Sequence, residues 1–308
     1  MICPDYYGCS GKLSFGETQR LALLNTPRDG GGDFSQLVTT GIIISSIDRV
    51  HRCAKDWDRF ARIAINHAFG DVLCAGAAPV QAMISFEFGI DAPNDEHIAC
   101  SEAFARELAR RSVLLGKCHS ARTDGTTAVT ISTLAARPSR LKPRLQQGKI
   151  YLSRPIGALK AQYLSELGVV IDQVDALRVL EWPEDEAFHS ASWELLTDIS
   201  GHGLLGALSQ VAQNYRIEVN FGLSAVHAFS PEVLSWPVEC LQNPLDSYNF
   251  PFDIDPSAEV LATLRETAGP FLGFIENESV HSEVAAKLGK PIGQYHQGKC
   301  GVKISWTR

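Results

Sequence analysis

The sequence is missing several features that would fix its class at once. No apolar run reaches the roughly 18 residues that cross a bilayer. The longest candidate, Gly41 to Ile47, is strand-sized, so no membrane partner is expected. No block of five or more like charges occurs, and 28 Lys and Arg against 35 Asp and Glu leave a net charge of −7. A nucleic-acid partner is therefore not expected, although an acidic chain can still hold phosphates through metal ions and backbone amides. The eight cysteines contain no C-x-x-C pair, and Cys118-His119 has no second pair at zinc-ligand spacing. Reduced thiols in a cytoplasm are the expectation, and Met1 to Asp5 shows no basic-then-apolar secretory leader. A Walker loop is absent, as are a Rossmann fingerprint after the first strand and any internal repeat.

What is present is ordinary globular material: 308 residues, 45% apolar and 20% charged, enough for two domains with real cores. Leu37 to Ile47 reads as a strand closed by Asp48, and Asp56 to Ala75 as a helix with Asp56 as N-cap. Met83 to Ile90 alternates, with Ile84, Phe86, Phe88 and Ile90 on one face. Asn94 to Leu115 reads as a long amphipathic helix, followed by a strand at Ala128 to Leu134. The basic, proline-bearing stretch Pro138 to Arg144 reads as a loop near a domain boundary. Beyond it come a strand (Lys149 to Ser153), helices (Glu184 to Leu196 and Leu204 to Tyr215) and a strand (Arg216 to Phe221). A helix (Ser257 to Thr267) and a strand–helix–strand tail to Trp306 complete the pattern, which is two α/β or α+β domains.

Four aspartates stand at element ends or glycine-rich turns: Asp33 after Gly30-Gly31-Gly32, Asp48, Asp71 and Asp198. Mg²⁺ takes carboxylates and keeps phosphate oxygens in its remaining positions, so short acids are what a metal–nucleotide site needs. Taken singly, each also reads as a turn or cap residue. Asp71 lies among small residues, one helical turn from His67, which reads equally as a core histidine. Gly201-His202-Gly203 at a loop-to-helix junction is either a phosphate seat or a close-packing device. Cys9-Ser10-Gly11-Lys12 is either a lysine-assisted thiolate or an incidental thiol at a frayed terminus.

Together, the order and spacing resemble the selenophosphate synthetases of the aminoimidazole-ribonucleotide-synthetase-like superfamily. Gly8-Cys9-Ser10-Gly11-Lys12-Leu13 is similar to the family's G-C-x-x-K loop, and Gly32-Asp33-Phe34-Ser35 with Ile43 to Asp48 to its D-D-A-A motif and T-T-D strand. Asp58 to Ala64 with the segment through Pro79 resembles its F-G-R-I-A…N-A-x-S-D-x-x-A-M-G-G-x-P helix. Thr197 to Gly206 resembles T-D-V-T-G-F-G-L-L-G. The pattern departs where the helix asparagine falls on His67, where Lys117-Cys118 replace a glycine pair before His119-Ser120, and where Asn243 to Asn249 replaces D-P-Q-T-S-G-G.

The resemblance implies a two-domain fold, α/β then α+β, whose N-terminal strands form a shared barrel in a homodimer. It implies a mobile catalytic segment at residues 1–20, an ATP- and metal-binding α/β domain at 21–145 and an α+β domain at 146–308. It implies a cytoplasmic kinase-like transferase converting ATP, selenide and water to selenophosphate, AMP and phosphate. Mg²⁺ would sit on Asp33, Asp48, Asp71 and Asp198. ATP would be held by Lys12, Asp48, Asp71, His119, Ser120, Gly201 and Gly203, with Cys9 and Lys12 catalytic on a closing flap. The alternatives are a superfamily member acting on sulfide or a small metabolite, and a nucleotide-binding regulator without turnover.

Overall fold

The computed structural model describes residues 35–38, 42–137, 144–169, 180, 193–235, 256–276, 282, 284–286 and 289–305. Its first sheet is built from β1 (Ser35–Val38), β2 (Ile42–His51), β3 (Ala78–Gly89), β4 (Leu114–Thr123) and β5 (Ala128–Arg137), in the order β1-β2-β5-β3-β4. Neighbours are antiparallel except β3 and β4, between which α2 (Asn94–Arg110) returns the chain to make a parallel pair.

The second sheet contains β6 (Gln147–Leu152), β7 (Leu195–Asp198), β8 (Ile217–Gly222), β9 (Phe271–Ile275), β10 (Gly293–Gln297) and β11 (Gly301–Ser305). Its order is β11-β8-β10-β6-β9-β7, with only β8 and β11 parallel. Helices α3 (Ala158–Glu166), α4 (Gly203–Tyr215), α5 (Pro231–Ser235) and α6 (Pro256–Thr263) accompany it.

Between the sheets' inner residues runs α1 (Trp57–Cys74). Asp56 caps it as expected, its side chain accepting from the Arg59 amide at 2.8 Å. From Phe60 to Gly70 nearly every side chain is buried, because α1 packs on β2 and β5, on α2, and on β7 of the other sheet. A helix covered on all sides needs small residues as well as apolar ones, which is the role of Ala61, Ala64, Ala68 and Gly70. The hydroxyls of Ser46 and Thr133 both donate to the Ala68 carbonyl at 3.3 Å and fix the helix against the first sheet. Edge-on stacking of Phe104 against Phe60 (5.6 Å) and Phe86 (5.5 Å) ties α2 into one core that continues to Phe221 and Tyr295.

Several local expectations change. The expected strand from Leu37 to Ile47 is instead divided between β1 and β2, which pair antiparallel with Val38 opposite Ile42. Asp48 does not close its strand: β2 continues to His51, burying Val50, while the outward Arg49 pairs with Glu87 at 2.7 Å. The helix expected to Leu115 stops at Arg110. Ser112 takes φ 57°, and the amides of Val113 and Ser112 return to the carbonyls of Leu108 and Ala109, a Schellman stop that releases Leu114 into β4. Ile90 lies past the end of β3 and is exposed. The helix placed at Ser257 to Thr267 ends at Thr263, and Leu195 and Leu196 belong to β7 rather than to a helix. The 138–143 part of the expected loop, residues 184–192, the Asn243 to Asn249 segment and Trp306 lie outside the described residues. Cys100, Cys118 and Cys300 are free thiols, and no helix among the described residues is long and apolar enough to cross a membrane.

Candidate functional site

The second half of α1 brings residues of both sheets together. From the first sheet, Asp48 on the inward row of β2 is 8% exposed and meets His67 of α1, with Oδ1 3.5 Å from Nε2. The other ring nitrogen, Nδ1, accepts the Ala268 amide at 3.2 Å. A neutral imidazole that accepts at Nδ1 carries its proton on Nε2, so the ring presents a donor to Asp48. The second carboxylate oxygen of Asp48, Oδ2, is buried and has no hydrogen-bond partner among the described residues.

From the second sheet, Asp198 ends β7 and is also buried. Its carboxylate lies over Gly70 of α1: a Cβ at Gly70 would come within 3.7 Å of Asp198 Oδ2. Asp71, half-buried, follows directly on the helix. Gly201 and Gly203 are buried where β7 turns into α4. At Gly203 the close-packing reading has a direct cause, since φ is +70° and a Cβ would sit 2.9 Å from the Leu264 carbonyl oxygen.

The remaining expected residues fall elsewhere. His119 and Ser120 lie on β4, an exposed edge strand, paired with Ser85 and Phe86. The row Arg49–Thr130–Ser85–His119 runs along the outer face of the sheet, opposite the inward row that carries Asp48. His119 therefore does not meet Asp48 within one chain. Cys9, Lys12 and Asp33 lie outside the described residues. Among the described residues, no three His, Cys, Asp or Glu side chains form a ready metal cage. The donors still suit a hard cation: they are oxygens, and one of them, Asp48 Oδ2, is buried with nothing bound to it.

Pattern reading missed the loop between α6 and β9, which is buried along residues 264–270. Glu266 there is fully buried and accepts from the amides of Gly157 and of Leu159, the latter at 3.3 Å, at the start of α3. Burial drives its carboxyl up to about 7, against the pull of Arg154 and of the amides. The one signal for this loop was Gly269-Pro270, a turn-forming pair that ends any helix before it. Lys160 on α3 is fully buried with no hydrogen-bond partner among the described residues, and burial lowers its ammonium to about 8.

Two sheets of this order bridged by a buried helix make a mixed α/β fold that solved structures share. No family model and no curated relative matches the sequence. Solved structures do match. AaThiL complexed with AMPPCP and TMP has a TM-score of 0.68 at 13% identity, covering 94% of this chain and 92% of that one. Thiamine monophosphate kinase from Aquifex aeolicus has a TM-score of 0.61 at 14% identity, covering 89% and 91%. HypE of E. coli, a hydrogenase maturation protein, has a TM-score of 0.59 at 16% identity, covering 85% and 81%. What these proteins share with this chain is the fold.

Proposed function

We propose that the protein is a Mg²⁺- and ATP-dependent phosphotransferase that converts ATP, selenide and water to selenophosphate, AMP and phosphate. The observation that carries the reading is the convergence on α1: Asp198 from the second sheet lies over Gly70, next in sequence to Asp71, and Asp48 from the first sheet meets His67 of the same helix. Supporting it are the resemblance of Thr197 to Gly206 and of the Cys9–Lys12 loop to selenophosphate synthetases, and a neighbour of the same fold that holds the triphosphate analogue AMPPCP.

In this reading residues 1–20 form the catalytic segment, 21–145 the nucleotide and metal domain and 146–308 the second domain of a cytoplasmic homodimer. Asp48, Asp71 and Asp198, with Asp33, would hold Mg²⁺, which offsets triphosphate charge when bound. The chain's own part is placement, since phosphoryl transfer needs in-line geometry and charge neutralisation more than covalent work by the protein. Lys12 offsets charge developing on the transferred group, Cys9 delivers the chalcogen, and closure of their segment keeps water from intercepting it. His119, on the outer sheet face, would reach a nucleotide only across a subunit boundary, whereas Ser120 pairs with the inward Phe86 on the face that carries Asp48.

The test is nucleotide product analysis with and without selenide. The expected result is selenide-dependent AMP, lost in Asp71→Asn and Lys12→Ala. ADP formation indifferent to selenide contradicts the reading. It would favour instead a kinase acting on a small metabolite, an alternative motivated by the thiamine monophosphate kinases among the fold neighbours.

A further inference from the structure

The 264–270 loop is a strap between the two acid-bearing regions. Its polar groups are spent on both sides of the site. The Glu266 amide donates to the Ser200 carbonyl at 3.0 Å, two residues beyond Asp198. The Glu266 carboxylate holds the first amides of α3. Two residues further on, the Ala268 amide donates to His67 Nδ1, and the Ala268 carbonyl accepts from Arg154. His67 in turn faces Asp48. Asp48 is thus tied to the strap through His67, and the backbone just after Asp198 is tied to it at Ile199 and Ser200.

We infer that His67 is a positioning residue for Asp48: the Ala268 amide fixes the ring as the Nε2–H tautomer, and the ring turns Asp48 so that Oδ2 alone is offered to a divalent cation. The inference rests on the metal–nucleotide reading above and adds to it a residue that supports the carboxylate without touching the ligand. A buried Asp48 carboxylate without the ring would lose its 3.5 Å contact at Oδ1 and turn to find a donor elsewhere. The oxygen now left unbonded would then be spent inside the protein. Histidine suits the task because donor and acceptor stand on one rigid ring, so the backbone at Ala268 sets the direction of the carboxylate contact.

The test measures Mn²⁺ binding to the full-length protein by electron paramagnetic resonance, with and without AMPPCP. Melting of the metal-free protein is followed in parallel. His67→Phe keeps a ring and loses both polar contacts, with His67→Met as the substitute if the phenyl does not fit. His67→Gln keeps a donor beside an acceptor. The expected result is weaker Mn²⁺ binding in His67→Phe by about 10- to 100-fold, near-parental binding in His67→Gln, and little change in metal-free melting. Parental Mn²⁺ affinity in His67→Phe overturns the inference while leaving the nucleotide reading intact. Loss that tracks a fall in metal-free melting assigns the residue to packing and overturns it too, as does failure of a folded His67→Gln to recover binding. A parent protein that takes up no Mn²⁺ even with AMPPCP contradicts the nucleotide reading itself.

Discussion

Among single residues, Lys160 is the plainest liability in the fold. Its ammonium is buried on α3 without an acceptor among the described residues, and burial lowers it from 10.5 to about 8. Because the folded value lies below the unfolded one, the cost is fully present below pH 8 and disappears as pH rises toward 10.5. Lys160→Met, which keeps the chain length and removes the charge, should stabilise the protein at pH 7 by about 1–3 kcal/mol. Calorimetry from pH 6 to 10 should show that gain shrinking above pH 8, and a gain independent of pH would contradict the account. Lys160 and Glu266 were invisible in the sequence because a charge in an amphipathic segment reads as solvent-facing, and only tertiary packing encloses it. The acids Asp48, Asp71 and Asp198 stood out only as a set, through their order and spacing, since each taken singly also reads as a turn or cap residue.

The elements that were legible had strong local chemistry. Asp56 and the apolar spacing that follows mark α1 to within a residue or two, and the glycine-rich entry marks α4. β4 was not legible, since an exposed edge strand carries no inward–outward alternation, and the Schellman stop ahead of it has Ser112 where glycine would be the usual signal. The outer face of the first sheet carries a different message. Ile47 is 69% exposed, and it shares a row with Ser132 and Met83, with Ile43 nearby on the same face. Apolar side chains spread over a strand face call for a cover, and the proposed homodimer supplies it with a second copy. Sedimentation should find a dimer that Ile47→Glu weakens by at least about tenfold. A parent protein that stays monomeric at micromolar concentration contradicts this.

For the whole molecule, the order of motifs from residue 9 to 206 was enough to anticipate the fold class, but not the strand order. Both sheets place sequence-distant strands side by side, as with β8 between β10 and β11, and such pairings are chosen by the shared core rather than by any local segment. The same long-range assembly makes the candidate site, because Asp48 and Asp198 belong to different sheets and meet only through α1. The most direct measurement is a crystal structure with AMPPCP and Mn²⁺, locating the metal by its anomalous scattering. The account predicts a peak about 2.0–2.3 Å from Asp48 Oδ2, bridged by phosphate oxygens to the Asp198 side of α1. A metal–nucleotide bound away from both carboxylates would contradict it.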